Sequence, residues 1–366
     1  MSAGRYAPSP TGDLHLGNLR TALLAWLWAR STNRDFYLRL EDLDRGRARD
    51  PQSQIDDLRA IGIDWDGPIV TQSERTDLYE DALATLTRQG QVFECFCSRK
   101  DIREAASAAH TPPSAYPGTC YLLSEKEREL RRSEMASRGL RPALRLLPRR
   151  NPDSELLSVW HPGSPSNLQS DRATTRRKNT AKSPLSDWQT RRGEPGAGRT
   201  GMAWTILDEL HGEYTGLVES VVLQRGDGAF AYNLAVVVDD LAMGVDQVVR
   251  GDDLLESAPT QAYLAQQLGG WQPNYVHVPL VLGPTGVRLA KRDGAVTLRE
   301  LWEAGFSTEE VLLALAQSIN PEASTAEELL ADFNPGEVPR TPCRFEPPLS
   351  LEPCLEAHRP SSSQHS

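Results

Sequence analysis

A histidine and a glycine near the start of the chain have the types and the spacing that nucleotide chemistry uses. His15 and Gly17 end a loop rich in proline and glycine, and apolar residues recur at positions 19, 22, 23, 26 and 27. This pattern predicts a short strand, a loop and a helix. The start of a helix presents free N–H groups and a positive dipole end, glycine lets a nucleotide lie close to the backbone, and histidine supplies a donor. The stretch therefore predicts a phosphate-binding loop, and a loop that only caps a buried helix is the alternative.

Three cysteines have a spacing that suits a metal ion. The chain has five cysteines, at positions 95, 97, 120, 343 and 354, and two of them are one residue apart. This arrangement favours metal binding in a reducing compartment over a disulfide framework. Cys95 and Cys97 can hold one ion from a tight turn and Cys120 can close the far side, but structural zinc usually takes four N or S ligands. His110 is the generic candidate for the fourth ligand, and three unrelated buried thiols are the alternative.

The elements that must position these residues follow from the apolar pattern. Residues 36–42 alternate apolar and polar side chains like a strand and end in Glu41 and Asp42. A strand, a helix and a second strand in this order predict a parallel pair with a right-handed crossover. Ligands of such sheets bind beyond the carboxyl ends of the strands. We therefore expect residues 5–9 and Glu41 to converge on one crevice.

Other segments are expected to form scaffold, insertion or tail. Residues 55–61 and 78–86 are amphipathic, regular structure is expected at 216–223, 227–240 and 248–255, and Pro259 opens a further helix. Capping boxes Ser307-x-x-Glu310 and Ser324-x-x-Glu327 predict two helix starts. Residues 149–199 carry ten Lys or Arg against five Asp or Glu without an apolar period, so we expect a mostly disordered insertion. The last thirty or so residues are rich in Pro and Ser and predict a tail.

The composition limits the class of protein. A chain of 366 residues can form two or more modules, and 39% apolar with 25% charged residues indicates a soluble globular protein. The net charge of −10 argues against a uniformly basic nucleic-acid surface but allows a local basic groove. No apolar run approaches the ~20 residues of a membrane span, and the N-terminus lacks a leader. We expect a cytoplasmic monomer that binds neither membrane nor DNA.

Two sequence signatures carry a family resemblance. The first is Pro8-Ser9-Pro10-Thr11-Gly12 followed by His15-Leu16-Gly17-Asn18, with Arg5 two places before Ala7. It resembles the "HIGH" signature of class I aminoacyl-tRNA synthetases in its glutamyl form. The second, residues 288–295, resembles the "KMSKS" loop, with Arg288 and Ala290 in place of the first lysine and the serine. The resemblance covers about residues 4–147 and 204–345.

The resemblance implies an α/β fold, a Rossmann-like catalytic domain with a zinc-bearing insertion and a short helical C-terminal part. The first half of the catalytic domain would occupy residues 1–92 and the zinc-binding insertion 93–147. The basic low-complexity insertion, at 148–203, would precede the second half of the domain with its KMSKS-like loop, at 204–295. A helical stem would follow at 296–333, and then the Pro/Ser-rich tail at 334–366.

The resemblance also assigns site residues. The catalytic residues would be His15 and Lys291, and the ATP-binding residues would be His15, Gly17, Asn18 and Lys291, with Mg²⁺ bound together with ATP. Glutamate would be bound by Arg5, Tyr6, Ala7, Pro8, Ser9, Glu41, Tyr232 and Arg250. One structural Zn²⁺ would be held by Cys95, Cys97, Tyr116 and Cys120, so the resemblance favours Tyr116 over His110.

The length after the second signature decides the implied activity. Only 74 residues follow Arg292, which leaves no room for a helical anticodon-binding module. The resemblance then implies the branch that activates L-glutamate with ATP without tRNA and transfers it to queuosine in the anticodon of tRNA(Asp). Two alternatives remain. One is a truncated glutamyl-tRNA synthetase that charges a 3′ end. The other, motivated by Arg288 and Ala290, is a catalytically silent paralogue that binds tRNA or adenylate.

Overall fold

The computed structural model describes residues 2–98, 100–102, 116–149, 202–289, 296–320, 322–323, 325–346 and 349–353. Several sequence predictions fall on other residues and lie outside the described part of the chain. They concern His110, Ala290, Lys291, Ser324, Cys354 and nearly all of the basic insertion at 148–203.

The N-terminal part forms the predicted strand, helix and strand. β1 (Ala3–Tyr6) and β2 (Asp35–Leu40) pair in parallel, and α1 (Leu16–Ser31) connects them. The short β3 (Val70–Thr71) pairs with β2, and α2 (Gln52–Ala60) and α3 (Thr76–Arg88) correspond to the two amphipathic segments. The buried residues of α1 lie on nearly all its faces, which is typical of a core helix rather than a surface helix.

A small antiparallel sheet carries the cysteine segment. Its strands are β4 (Val92–Cys95), β5 (Ala143–Leu146) and β8 (Val222–Gln224). Between β4 and β5 lies α4 (Glu125–Ala136), whose N-terminus is capped by Ser124. Leu146 and Leu223 pack in one cluster with apolar residues of α5 (Tyr232–Ala242), which anchors this sheet to the catalytic domain.

The second half of the main sheet completes a crevice. β6 (Met202–Asp208) and β7 (Gly212–Val218) form a hairpin, and β10 (Asn274–Val278) runs parallel to β6 and to β9 (Gln247–Gly251). α6 (Ala258–Gln267) connects β9 to β10. A parallel bridge between Ala3 and Val245 brings β1 beside β9. Strands β2, β1, β9 and β10 therefore run in one direction, and their carboxyl ends meet at one edge.

The C-terminal part is helical, and one predicted helix start needs correction. After β11 (Val281–Leu282) come α7 (Leu298–Glu303), α8 (Thr308–Gln317) and α9 (Ala326–Ala331). The capping box of Ser307 and Glu310 is confirmed. The second box is wrong by one residue, because Thr325 caps α9 and accepts a hydrogen bond from the Glu328 N–H at 3.1 Å. The same pattern of a hydroxyl residue followed three places later by glutamate recurs there, so spacing alone does not fix the register.

Part of the predicted tail is folded. β12 (Cys343–Glu346) pairs with β13 (Ser350–Pro353) as a hairpin and with β11 in parallel. The side chains of Cys343, Phe345 and Leu351 are buried in the main core. The burial of these alternating apolar residues offsets the entropy that is lost when the segment becomes ordered. Among the described residues, no helix combines the length and the apolar character that crossing a membrane requires.

Candidate active site

A cavity of about 590 Å³ opens at the carboxyl ends of β1, β2 and β9. Its walls come from the loop after β1, the start of α1, the end of β2, the start of α5 and the segments after β9 and β10. It brings together most of the predicted substrate-binding residues, namely Tyr6, Ala7, Pro8, Ser9, His15, Gly17, Asn18, Glu41, Tyr232 and Arg250. Arg5 is only 4% exposed and does not line the cavity. The crevice predicted from sheet topology is therefore present.

His15 is fixed at the start of α1 in one orientation. Its Nδ1 accepts a hydrogen bond from the Asn18 N–H at 3.3 Å, and its own N–H donates to Asn18 Oδ1 at 3.3 Å. Because Nδ1 accepts, a neutral His15 carries its ring proton on Nε2. Gly17 leaves room for this ring, since a Cβ at position 17 would lie 3.1 Å from His15 Cε1. The glycine thus protects the histidine's position as well as allowing close approach to the backbone.

Hydrogen bonds from an unpredicted residue shape the loop between β1 and α1. Gln54 of α2 donates from Nε2 to the carbonyl oxygens of Ser9, at 3.2 Å, and Gly12, at 2.6 Å. The Glu41 N–H donates to the Pro8 carbonyl at 2.9 Å, which ties the loop to the end of β2. Gly12 has a φ of +134°, a conformation that favours glycine. The cavity wall is therefore built mainly of backbone held in place from outside.

Arg250, at the end of β9, is held by three hydrogen bonds that leave two of its five N–H groups for other partners. Its Nε donates to His277 Nε2 at 3.0 Å, Nη1 to Gln261 Oε1 at 2.7 Å and Nη2 to the Leu254 carbonyl at 3.3 Å. His277 Nδ1 in turn lies 2.6 Å from Asp208 Oδ2. Burial lowers the pKa of His277, although Asp208 opposes the shift. The neutral ring therefore donates to Asp208 and keeps a lone pair for Arg250.

Glu41 and Arg5 belong to one buried charge network. Arg39 donates to Asp240 Oδ1 at 2.6 Å and to Glu41 Oε1 at 3.2 Å. Arg5 donates from Nε to the same Asp240 oxygen at 3.3 Å and from Nη1 to the Val249 carbonyl at 3.3 Å. Asp239 Oδ2 also lies 3.9 Å from Arg39 Nε, so the two cations face three carboxylates. Asp240 thus joins the residues that the sequence assigned to glutamate.

The network sets the charge of its carboxylates. Burial raises the pKa of Glu41, and the cations of Arg39 and Arg5 oppose that rise without cancelling it. Burial also acts to raise the pKa of Asp240, but there Arg39 and Arg5 outweigh it and hold the pKa below its usual value. Asp240 is therefore the carboxyl group that stays ionised, whereas the pKa of Glu41 would fall if a further cation approached it.

The cysteine cluster brings three sulfur atoms close enough together that they could hold one metal ion. The Sγ atoms of Cys95, Cys97 and Cys120 all lie within 4.8 Å of one another, and those of Cys97 and Cys120 are 3.4 Å apart. The hydroxyl oxygen of Tyr116 is 4.0 Å from Cys97 Sγ. Tetrahedral zinc with Zn–S bonds of ~2.3 Å requires ligand sulfurs about 3.8 Å apart. Three cysteine sulfurs and a tyrosine oxygen converge there, and sulfur is a donor that zinc prefers, so the donor set fits a cation.

Comparison with known proteins identifies the family. A family model for the catalytic domain of class I tRNA synthetases (E and Q) matches residues 3–147 and 199–330. A glutamyl-Q tRNA(Asp) synthetase from Nocardia farcinica (strain IFM 10152) is 50% identical over 340 residues, covering 93% of this chain and 92% of that protein. One from Symbiobacterium thermophilum is 41% identical over 362 residues, covering 94% and 96%. The chain belongs to the glutamyl-Q tRNA(Asp) synthetases. It is therefore an ATP-dependent ligase with a class I catalytic domain.

The solved structures agree on the fold of this synthetase family. The glutamate-tRNA synthetase of Elizabethkingia anophelis superposes with a TM-score of 0.69 at 22% identity, and the match covers 95% of this chain and 68% of that one. This likeness bears on the fold alone.

The second signature borders the same cavity. Arg288, at the place of the signature's first lysine, lines the cavity together with Leu289, and its Nη1 donates to the Asp253 carboxylate. The rest of the signature, residues 290–295 with Lys291, lies outside the described residues.

Sequence reasoning missed the buried residues that form hydrogen bonds with the predicted site residues. Arg39, Asp240, His277 and Asp208 are each less than 10% exposed, yet they are charged or titratable. The available signal was their presence inside apolar stretches, since such residues are rarely buried unless paired. What the sequence could not supply was the partner, because Arg39 and Asp240 are 201 positions apart.

Proposed function

We propose that this chain activates L-glutamate with ATP as glutamyl-adenylate without tRNA and transfers the glutamyl group to the queuosine base in the anticodon of tRNA(Asp). The observation that carries the proposal is the single cavity in which Glu41 and Arg250 face His15 at the start of α1. A carboxylate that could bind an ammonium group and a guanidinium that could bind a carboxylate therefore lie beside a helix start that suits phosphate. Two relatives that match over more than nine-tenths of their own length are named glutamyl-Q tRNA(Asp) synthetases, and these names support the queuosine base of tRNA(Asp) as the acceptor.

Glutamate recognition would rest on complementary charges. The Glu41 carboxylate would accept from the substrate ammonium, and Arg250 would donate to a substrate carboxylate. Arg5 lies behind the cavity wall and would act on the substrate through its charge and through Asp240 rather than by direct contact. The hydroxyl of Tyr232, like that of an ordinary tyrosine, stays protonated at neutral pH and can donate. Tyr6, Ala7, Pro8 and Ser9 would form the remaining wall.

ATP would lie against the start of α1. The Nε2–H of His15 and the backbone N–H groups near Gly17 and Asn18 would donate to phosphate oxygens, and Lys291 would add a cation. Mg²⁺ carried with ATP would neutralise triphosphate charge. In-line attack of a glutamate carboxylate on the α-phosphorus forms the mixed anhydride while the bond to pyrophosphate breaks. The residues contribute positioning and electrostatic stabilisation rather than proton transfer.

A zinc ion would be structural and remote from this chemistry. Cys95, Cys97, Tyr116 and Cys120 would hold one Zn²⁺ and fix the segment between β4 and β5. Neither the cysteines nor Tyr116 lines the 590 Å³ cavity. We therefore expect zinc to support folding of the insertion rather than activation.

Two assays test the two halves of the proposal. Pyrophosphate exchange with glutamate and ATP alone should be measurable, and a strict requirement for tRNA would contradict activation as proposed. Mass spectrometry of nuclease fragments of tRNA(Asp) should then place the glutamyl mass on the queuosine nucleotide. Glutamate on the terminal adenosine instead would show a tRNA-charging enzyme.

A further inference from the structure

A second cavity, of about 280 Å³, adjoins the first one through Tyr232. Tyr232 lines both cavities, so molecules bound in them would be neighbours at this residue. The second cavity is bounded by the cysteine segment through Tyr116, by β5 through Arg145, and by the turn between β7 and β8 through Glu219 and Ser220. It is close to the lower limit of about 300 Å³ for small-molecule sites. It can therefore take a single base but not a base with its phosphates.

The polar groups around this cavity match a base better than a phosphate. The Arg145 guanidinium lies 4.3 Å from the centre of the Tyr116 ring, and its Nη1 donates to the Ser220 carbonyl at 2.7 Å. A guanidinium held flat in this way is a stacking platform for an unstacked RNA base. The Glu219 carboxylate on the same wall repels phosphate and attracts a cation or a donor.

Hydrogen-bond directions give the cavity a donor as well. The Arg250 guanidinium can only donate, so Gln261 must present Oε1 to it and therefore Nε2 to its other partner. That partner is Asn233 Oδ1, at 2.8 Å, which leaves the Asn233 amide N–H groups for the second cavity that Asn233 lines. The chain from Arg250 through Gln261 to Asn233 links the two cavities by fixed donors and acceptors.

We propose that the second cavity binds the acceptor base and positions one of its hydroxyls beside Tyr232 to attack the carbonyl carbon of glutamyl-adenylate. An ester bond to the hydroxyl oxygen forms, the bond from the carbonyl carbon to the phosphate oxygen breaks, AMP leaves and the hydroxyl proton passes to water. The occupant is the queuosine base. Its ring system can stack on the Arg145 guanidinium, and its cationic secondary amine can pair with the Glu219 carboxylate. Its hydroxyls can accept hydrogen bonds from the Asn233 amide. The inference rests on the proposed function and adds its acceptor subsite. A terminal adenosine lacks the cationic amine and gives Glu219 no ionic partner.

Binding measurements with two tRNAs separate the base from the phosphate backbone. Wild-type protein should bind queuosine-containing tRNA(Asp) more tightly than the unmodified transcript with guanosine at the wobble position. In Arg145→Met and in Glu219→Gln this preference should fall by about tenfold, because base stacking and charge pairing are lost. The affinity for the unmodified transcript should change less than about twofold.

Kinetics and controls complete the test. The Michaelis constant for queuosine-containing tRNA should rise in both variants, while pyrophosphate exchange keeps its Michaelis constants for glutamate and ATP. Two control variants should behave as wild type: Arg225→Met changes an exposed arginine directly after β8, and Glu213→Gln changes an exposed glutamate of β7. Zinc content must be equal in all proteins, since Arg145 packs on Tyr116.

The outcomes distinguish the inference from the proposed function. If wild type glutamylates queuosine and both cavity variants keep the full preference for modified tRNA, the second cavity is not the acceptor subsite and the proposed function stands. If wild type glutamylates only the terminal ribose, or no tRNA at all, the proposed function fails and the subsite assignment fails with it.

Discussion

Replacing Arg250 by lysine tests the glutamate pocket most directly. The side chain is 5% exposed and its guanidinium makes hydrogen bonds of 3.0, 2.7 and 3.3 Å to His277, Gln261 and Leu254. Lysine keeps the charge but cannot reach these acceptors and a substrate carboxylate together. Losing one charge-assisted hydrogen bond costs about 1.5–3 kcal/mol. We therefore expect the Michaelis constant for glutamate in pyrophosphate exchange to rise by about ten- to a hundredfold, and that for ATP by less than about twofold.

Two controls separate this role from a general structural one. Arg225→Lys makes the same change at an exposed arginine beyond β8 and should leave both constants unchanged. Thermal unfolding of Arg250→Lys, measured with and without glutamate, reports the loss of scaffold contacts separately from the loss of substrate binding. If the constants for glutamate and ATP rise together, or neither rises, Arg250 is part of the scaffold and the substrate lies elsewhere.

Three further changes test the loop, the cysteine cluster and the buried histidine. Gly17→Ala should raise the Michaelis constant for ATP by about tenfold with little loss of stability, since the new Cβ displaces the His15 ring; an unchanged constant would contradict this. Cys97→Ser should abolish zinc in elemental analysis and lower the melting temperature while exchange persists, and finding no zinc in wild type purified without chelator would refute the site. Burial lowers the pKa of His277 below the ordinary 6.5. The neutral ring therefore contributes its full share to the free energy of unfolding above pH 6.5. This share is lost as the pH falls toward the folded pKa, by up to about 1.4 kcal/mol per pH unit. Urea unfolding from pH 5 to 8 should show this loss in wild type and a smaller one in His277→Gln, and parallel profiles would contradict it.

Local chemistry explains what the sequence predicted well. The strand, loop and helix around His15 depend on neighbours within a few positions, since Asn18 and Gly17 complete the cap. The box at Ser307 likewise depends on a residue three places away. Such features can be predicted from the sequence because the interacting residues lie within a few positions of each other.

Features that depend on distant partners could not be predicted in this way. Arg5 and Asp240 are 235 positions apart, and only the pairing of β1 beside β9 brings them together. For the same reason Arg5 was expected in the cavity wall, whereas its bonds to Asp240 and Val249 place it in the buried network. The β12–β13 hairpin was missed because its apolar residues gain their burial from Val281 and the main core, not from each other.

The buried network also explains how one site can bind an amino acid that carries both charges. Asp240 takes the shorter bond from Arg39, at 2.6 Å, and Glu41 takes the longer one, at 3.2 Å. Glu41 lines the cavity and burial raises its pKa, so its ionised form is stabilised only in part before substrate arrives. In the proposed binding mode a substrate ammonium would supply a further cation and lower that pKa, while a carboxylate of the same molecule would meet Arg250. An analogue without the ammonium charge, such as N-acetylated glutamate, would leave Glu41 without this cation in a buried position and should bind more weakly.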